Sequence, residues 1–282
     1  MMRSALMVAG DKERHLAKLP ELACDLAIIN LEDGVFDKAR ARELVCARLE
    51  ELADWVRPRL VVRINPLGEG GEADIAALNP VRPAAIRLPK VQGPDNLRRA
   101  EALIAEGIEI QFTVETRQAL ASLSAMGTSP RVTTAYLGIL DLLHDLRVPQ
   151  SALRLDNPLI DHLLARFLVD ARLAGLTPIS FVYQDHRDLA GFRAWCQKAR
   201  FMGYPGTGCI SPAQVAIANE EFAPDEEQLN RARKIAALFD EARSQGISGF
   251  DHPRHGFIDE PIYRDALLWL ESGSGLSASR NK

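Results

Sequence analysis

The stretches Leu26-Ala-Ile-Ile-Asn-Leu31 and Arg59-Leu-Val-Val-Arg-Ile64 decide the fold class. Each is a short, almost continuous apolar run, which is typical of a strand in a parallel sheet that is covered on both faces. Between them, apolar residues spaced by four, three and four positions line one face of a helix: Val45, Leu49, Leu52 and Val56. The segment therefore predicts a strand–helix–strand unit with a right-handed crossover.

The same pattern recurs along the chain. Apolar runs predict strands at 4–9, 26–31, 59–64, 84–88, 109–114, 133–139, 178–183 and 207–210. Helical spacing returns between them, for example at Ile160, Leu163, Phe167 and Ala171. Eight repeats before residue 211 indicate an α/β protein with a (β/α)8 TIM-barrel fold, and a doubly wound open sheet is the alternative.

The pattern changes towards the C-terminus. Pro224 followed by three acidic residues predicts the start of a helix. A stretch rich in Gly, Ser, His and Pro at 246–257 predicts a loop, and 261–271 predicts a short last helix. We therefore expect a barrel catalytic domain over 1–223 and a C-terminal helical extension or lid over 224–282, in contact with a neighbouring subunit.

Composition excludes several classes of protein. Of 282 residues, 47% are hydrophobic and 26% charged, which excludes a mainly disordered chain. The net charge of −4 argues against nucleic acid as a partner, and no run of about 18 apolar residues predicts a membrane span. The four cysteines form no C-x-x-C and lie in apolar stretches, so we expect free buried thiols in a cytoplasmic protein.

Charged side chains cluster at the predicted carboxyl ends of the strands, where TIM barrels carry their active sites. The carboxylates there are Glu32, Asp33, Glu115, Asp141 and Asp185, and the cations are Arg63 and Lys90. We therefore expect several carboxylates and at least two cations around one mouth of the barrel.

Glu115 and Asp141 follow the adjacent fifth and sixth predicted strands. Two neighbouring carboxylates repel each other unless a proton or a cation lies between them. Mg²⁺ is commonly held by one or two protein carboxylates, with water and substrate completing its octahedral shell. The pair predicts a Mg²⁺ site, with Mn²⁺ as a second candidate. The alternative is that both residues only cap the helices that follow them.

Arg63 lies inside an apolar strand and therefore needs a partner. Its planar guanidinium suits a carboxylate, which belongs either to the substrate or to Glu32 or Asp33. Backbone N–H groups from Gly138 to Leu140 are further candidates for binding a substrate carboxylate.

A series of short motifs runs along nearly the whole chain. In order, they are Asn30-Leu-Glu-Asp-Gly-Val35, Val62-Arg-Ile-Asn65, Leu88-Pro-Lys90, Val114-Glu-Thr116, Leu137-Gly-Ile-Leu-Asp141, Phe201-Met-Gly-Tyr-Pro-Gly206, Ile210-Ser-Pro-Ala-Gln214 and Gly256-Phe-Ile-Asp-Glu-Pro261. Their order and spacing resemble the citrate lyase β-subunit-like group of the HpcH/HpaI aldolase superfamily. Each motif alone is weak, but the series is specific.

The resemblance implies a (β/α)8 barrel that cleaves or forms a carbon–carbon bond in β-hydroxyacyl thioesters with Mg²⁺. Glu115 and Asp141 match the metal carboxylates of the family, and Arg63 matches the arginine that faces the substrate carbonyl and carboxylate. Lys12 and Lys18 fall near the segment that approaches the phosphates of coenzyme A.

Asp259 matches an aspartate that, in related malyl-CoA and citramalyl-CoA lyases, enters the site of a neighbouring subunit. The resemblance thus implies a homo-oligomer, a trimer or a hexamer. Four positions depart from the family pattern. Ala9 stands where a proline is common, Gly34 where an alanine is common, Ser211 where a histidine is common, and Thr207 where a lysine is common.

We therefore expect a retro-Claisen lyase acting on a citryl-, malyl- or citramalyl-CoA type of substrate and releasing a 2-oxo acid and an acyl thioester. Asp259 would protonate the carbon of the thioester enolate, and Glu32 and Asp33 would orient Arg63 or metal-bound water. Two alternatives stay open. One is a class II aldolase acting on free 2-oxo acids. The other is a lyase subunit that needs an acyl-carrier protein, which Ser211 and Thr207 keep in consideration.

Overall fold

The computed structural model describes residues 2–52 and 59–277. Within these ranges, eight parallel strands form one sheet. They are β1 (Ser4–Ala9), β2 (Leu26–Asn30), β3 (Arg59–Arg63), β4 (Ala85–Leu88), β5 (Glu109–Val114), β6 (Val132–Leu137), β7 (Thr177–Ile179) and β8 (Thr207–Cys209). All eight predicted strands are thereby confirmed.

The sheet closes on itself. Its strands follow the order β7-β6-β5-β4-β3-β2-β1-β8, and a parallel bridge joins Ser180, directly after β7, to Thr207 of β8. The Ser180 N–H donates to the carbonyl of Gly206 at 3.1 Å, and the Gly208 N–H donates to the carbonyl of Ser180 at 3.2 Å. The predicted (β/α)8 barrel is confirmed and the open sheet is wrong, because β8 pairs with β1 and bridges to β7.

Helices cover the outside of the barrel. They are α1 (Glu13–Leu16), α2 (Lys38–Glu51), α3 (Gly71–Val81), α4 (Pro94–Leu103), α5 (Arg117–Ser122), α6 (Ile139–Asp145), α7 (Pro158–Leu173), α8 (Leu189–Met202) and α9 (Pro212–Glu221). Val45 and Leu49 of α2 are buried as their spacing predicts, as are Ile160 and Phe167 of α7. The predicted position Val56 lies outside the described residues.

An apolar layer fills the inside of the barrel towards the amino ends of the strands. It consists of Ala5, Leu26, Ile28, Val61, Ala85, Tyr136 and Ile179. Side chains alternate between the two faces of a strand, so the residues two positions further along point inwards as well. These include Asn30, Arg63 and Arg87, which are register partners on β2, β3 and β4. A polar layer therefore lies above an apolar floor.

Residues from Ala223 onwards form a second compact unit. It contains α10 (Glu226–Ser244), an antiparallel hairpin of β9 (Gly249–His252) and β10 (Gly256–Asp259), and α11 (Glu260–Ser277). The expected loop at 246–257 is wrong, because half of that stretch pairs in the hairpin. The last helix is also longer than the expected 261–271. In neither described range does a helix have the length and apolarity required to cross a lipid bilayer.

Candidate active site

A cavity of about 410 Å³ opens at the carboxyl ends of the barrel strands. Its walls bring together six of the residues expected from the sequence: Asp33, Arg63, Glu115, Gly138, Leu140 and Asp141. These residues are separated by up to 108 positions in the chain, and strand pairing alone brings their strand ends to one place. The barrel mouth is therefore the candidate active site.

Glu115 follows β5 directly and is 5% exposed. Burial raises the pKa of its carboxyl group, and the nearby negative charge of Asp141 raises it further. The backbone N–H of Lys90 donates to Oε1, and this contact and the charges of Arg63 and Arg87 oppose the rise. Glu115 is thus a buried carboxylate to which a further cation would bind favourably.

Asp141 lies in the first turn of α6, and Gly138 sets the position of that turn. A Cβ atom on Gly138 would stand 2.7 Å from Cβ of Glu115 and 2.9 Å from Cγ2 of Thr113. Only a glycine therefore lets the start of α6 pack so closely against Glu115. This packing places the two carboxylates on one wall of the cavity.

The carboxylate pair fits a hard divalent cation. Across the described part of the chain, no cluster of three or more His, Cys, Asp or Glu residues suits a metal. Two carboxylates without a third protein ligand suit Mg²⁺, which keeps several positions for water and substrate. The capping alternative is wrong, because the side chain of Thr116 caps α5 and Gly138 occupies the N-cap of α6.

Arg63 is held by acidic residues of the loop after β2. It forms an ion pair with the buried carboxylate of Glu32, and its Nη2 lies 3.6 Å from Oδ2 of Asp33. Lys90 Nζ approaches Oε1 of Glu32 at 3.4 Å from the other side. Nε of Arg63 is buried and has no hydrogen-bond partner among residues 2–52 and 59–277. Arg63 is thus fixed by Glu32 and still has a donor available.

Asn30 fixes the loop that carries these carboxylates. Its Nδ2 donates to the carbonyl of Asp33 at 2.6 Å, and its Oδ1 accepts from the Glu32 N–H at 3.3 Å. Gly34 follows with a φ of 83°, a left-handed conformation that favours glycine, and it lines the cavity as well. The loop therefore buries Glu32 beneath Arg63 and leaves Asp33 on the cavity wall.

Sequence comparisons agree on one family. The model of the HpcH/HpaI aldolase/citrate lyase family matches residues 3–212. The chain belongs to this family. It is 36% identical over 247 residues to a (3S)-malyl-CoA thioesterase of Cereibacter sphaeroides, covering 86% of this chain and 85% of the relative. It is 30% identical to the human mitochondrial citramalyl-CoA lyase, covering 94% and 83%.

Solved structures with citrate lyase or CitE in their names share the fold. A citrate lyase of Burkholderia xenovorans superimposes with a TM-score of 0.81 at 22% identity, covering 98% of this chain and 93% of that one. The protein CitE of Mycobacterium tuberculosis, in complex with magnesium, acetoacetate and coenzyme A, gives a TM-score of 0.76 at 24% identity, covering 96% and 97%. At these identities the likeness establishes the barrel and its extension.

The role of Gly138 differs from the expected one. Its N–H donates to the carbonyl of Val114 at 2.9 Å, so it is not available to a ligand. The expectation that the Gly138 N–H binds a carboxylate is therefore wrong, and Gly138 instead makes room for Glu115. The side of the cavity formed by Ile139 and Leu140 remains available.

A second cavity of about 510 Å³ adjoins the first and shares Asn30, Asp33 and Gly34 with it. Lys18 lines this second cavity. Lys12 does not line it and instead pairs with Asp11, at 2.9 Å between Nζ and Oδ2. The structure thus brings Lys18, and not Lys12, beside the candidate site.

Asp259 belongs to the C-terminal unit. Its Oδ1 accepts a hydrogen bond from the N–H of Ile262 at 3.2 Å, at the start of α11. Two of the departures from the family pattern, Ser211 and Thr207, have local contacts. The Ser211 hydroxyl accepts from the Gln214 N–H at the start of α9, and the Thr207 hydroxyl donates to the carbonyl of Phe181. A role of Asp259 at a neighbouring subunit stays a prediction.

Sequence reasoning missed Arg87. This residue of β4 is 6% exposed and lines the main cavity. The signal was present, because Arg87 interrupts the apolar run at 84–88 as Arg63 interrupts that of β3. The same rule, that an arginine in a buried strand needs a reason, identifies both.

Replacing Gly138 with alanine tests the packing against Glu115. The added methyl group must displace the Glu115 side chain, so we expect Gly138→Ala to weaken Mg²⁺ binding at least about 10-fold. The overpacking itself should lower the free energy of unfolding by about 1–3 kcal/mol. Calorimetric titration with Mg²⁺ and urea denaturation measure the two effects.

Gly93→Ala is the matched control, because a Cβ there lies 3.8 Å from its nearest neighbour, Oγ of Ser122. It should leave Mg²⁺ affinity unchanged. Wild-type affinity in Gly138→Ala would show that the position of Glu115 does not matter for the metal.

Proposed function

We propose that this protein is a magnesium-dependent carbon–carbon lyase that cleaves a β-hydroxyacyl-CoA thioester into a 2-oxo acid and an acyl-CoA. The observation that carries the proposal is that the two carboxylates Glu115 and Asp141 line one cavity together with Arg63 and that the charges of Asp141 and Arg63 both act on Glu115. Support also comes from the relatives, one of which is named a citramalyl-CoA lyase, and from a structural neighbour in complex with magnesium and coenzyme A.

Glu115 and Asp141 would hold Mg²⁺, with Mn²⁺ as a second candidate. When bound, the cation supplies electrostatic stabilisation of the substrate oxygens on which negative charge develops. The burial of Glu115 strengthens this attraction, because the charge of the carboxylate is poorly screened by water there. Asp141 is exposed and lines the same cavity.

Arg63 would stabilise the alkoxide that forms when the β-hydroxyl group passes its proton to water in the cavity. The carbon–carbon bond then breaks, the alkoxide becomes the carbonyl of a 2-oxo acid, and the electron pair passes to the thioester as an enolate. Glu32 and Asp33 hold the Arg63 fork in place for this step, through the ion pairs described above. The Leu140 side of the cavity would bind the substrate carboxylate.

The enolate takes up a proton at carbon, and we assign this step to Asp259 of a neighbouring subunit in a homo-oligomer, a trimer or a hexamer. We assign the second cavity, with Lys18, to the coenzyme A part of the substrate. The four cysteines are free thiols, which suits the proposed cytoplasmic location.

Thioester hydrolysis is the second candidate function, because the relative at 36% identity is named a (3S)-malyl-CoA thioesterase. The products separate the two activities. Carbon–carbon cleavage of malyl-CoA yields glyoxylate and acetyl-CoA, whereas hydrolysis yields malate and free coenzyme A. Turnover of free 2-oxo acids alone would favour an aldolase, and turnover only with a carrier protein would favour a partner-dependent subunit.

Purified protein with Mg²⁺ should release a 2-oxo acid and an acyl-CoA from malyl-, citramalyl- or citryl-CoA. Glu115→Gln and Asp141→Asn should each lower kcat/KM on the order of 1,000-fold, because each removes a charge that holds the cation. Product analysis by mass spectrometry and Mg²⁺ titration calorimetry give independent readouts.

Asp185→Asn is the control, since Asp185 follows β7 but binds the N–H groups of Arg187 and Asp188. It should retain full activity. Normal turnover in Glu115→Gln would end the metal assignment, and free coenzyme A as the product would replace the lyase with a thioesterase.

Arg63→Lys tests whether the fork geometry matters. A lysine keeps the charge but cannot contact both Glu32 and an alkoxide, so we expect kcat/KM to fall on the order of 100-fold with Mg²⁺ affinity nearly unchanged. Arg59→Lys, at the other end of β3, is the control and should behave as wild type. Equal activity of the two variants would remove Arg63 from the reaction.

Mixed oligomers test the role of Asp259. Glu115→Gln and Asp259→Ala chains carrying different tags are co-expressed and purified through both tags. Each variant alone should be slow, whereas hybrid oligomers should regain activity, because a site with Glu115 from one chain and Asp259 from another is intact. If the hybrid oligomers copurify but turn over as slowly as each single variant, Asp259 does not act in the site of a neighbouring subunit.

A further inference from the structure

Arg87 is a buried cation in the candidate site that the reaction described above does not use. Its Nε donates to Oγ1 of Thr113 at 3.0 Å, and its guanidinium lies over the Tyr136 ring, 3.9 Å from the ring centroid. Tyr136 is part of the apolar floor of the barrel. Arg87 therefore rests on that floor and faces the cavity.

Arg87 differs from the other cations of the site in having no acidic partner. Arg63 and Lys90 both pair with Glu32. In the described ranges no carboxylate oxygen lies within 4.0 Å of Arg87, and its other contacts are a hydroxyl group and a ring. The charges of Glu32 and Glu115 act on Arg87 only from a distance. A buried guanidinium with no carboxylate in direct contact is costly, which argues that an anion from outside the chain completes this part of the site.

The strands place Arg87 deeper than the carboxylates. Its partner Thr113 comes two residues before Glu115 on the same strand, so both point into the barrel and Thr113 lies nearer the floor. Burial lowers the pKa of Arg87 to about 10, which leaves it positively charged at neutral pH. A substrate drawn to a cation at Glu115 and Asp141 would therefore lie above a positive group.

The chemistry of the proposed reaction says which part of the substrate lies there. In a 2-oxo acid, the carboxylate and the keto oxygen are the groups that a cation chelates, and one face of the keto carbon must meet the thioester carbon. The remaining substituent is hydrogen in glyoxylate, methyl in pyruvate and carboxymethyl in oxaloacetate. Only the last carries a charge that would neutralise a buried guanidinium.

We propose that Arg87 is a specificity-determining residue that binds a second carboxylate on the 2-oxo acid half of the substrate. This inference rests on the proposed function and makes it more specific. The protein favours a β-hydroxyacyl thioester that releases a dicarboxylic 2-oxo acid over those that release glyoxylate or pyruvate. Tyr136 and Thr113 hold the guanidinium so that its remaining N–H groups face this carboxylate.

Binding of oxaloacetate and of pyruvate to the Mg²⁺-loaded protein, measured by titration calorimetry, tests the proposal without turnover. Wild type should bind oxaloacetate at least about 10-fold more tightly than pyruvate. Arg87→Met should weaken the binding of oxaloacetate on the order of 100-fold and the binding of pyruvate less than about 3-fold, because only oxaloacetate loses a buried charged contact. Arg87→Lys should recover part of the oxaloacetate affinity.

Arg98→Met is the matched control, because Arg98 is an exposed residue of α4, the helix that follows the same strand. It should bind both acids as wild type does. Circular dichroism and thermal unfolding report whether Arg87→Met folds. Should it not fold, the wild-type preference and the Arg87→Lys variant decide the question.

The outcomes separate this inference from the proposed function. Equal affinity of wild type for the two acids, or equal losses in Arg87→Met, would overturn the role of Arg87 and leave the lyase intact. Absence of Mg²⁺-dependent binding of either acid by wild type would overturn both. If Arg87→Met loses affinity for oxaloacetate but not for pyruvate, and wild type cleaves citryl-CoA efficiently, both the role of Arg87 and the lyase function are supported.

Discussion

The candidate site depends on keeping the carboxylate of Glu115 charged in a buried position. Burial and Asp141 favour the neutral acid, whereas Arg63, Arg87 and the Lys90 N–H favour the anion. Lys90 donates from a backbone with a φ of 50°, a left-handed conformation that a non-glycine residue adopts at some energetic cost. The chain thus accepts local strain to hold a negative group where a cation would be most strongly attracted.

The barrel can hold this buried charge because its interior is divided into an apolar layer and a polar layer. Ile28, Val61 and Ala85 fill the inside near the amino ends of the strands, and Asn30, Arg63 and Arg87 follow two positions later. The apolar layer supplies the packing that stabilises the closed sheet. The polar layer can then carry charged groups that are only partly paired with one another. The groups that remain without a partner can bind a ligand.

The sequence was sufficient for the barrel and for much of the cavity wall. Apolar runs locate buried strands directly, and a barrel places whatever follows them at one mouth, which is why Glu115, Asp141 and Arg63 could be selected without coordinates. Gly138 was misjudged because its role is a steric contact with Glu115 across two strands. The hairpin at 249–259 was missed because each of its strands is only four residues long and depends on its partner.

Substrate choice in this site is separable from its chemistry. Ser211 caps α9 and Thr207 binds the carbonyl of Phe181 where the barrel closes, so these two departures from the family pattern have structural contacts of their own. They therefore carry little weight for an acyl-carrier protein over coenzyme A. Arg87 has no comparable acidic partner and lies in the cavity itself. Under the proposal for Arg87, a change of this one residue would alter which keto acid fits, while Glu115, Asp141 and Arg63 would stay the same.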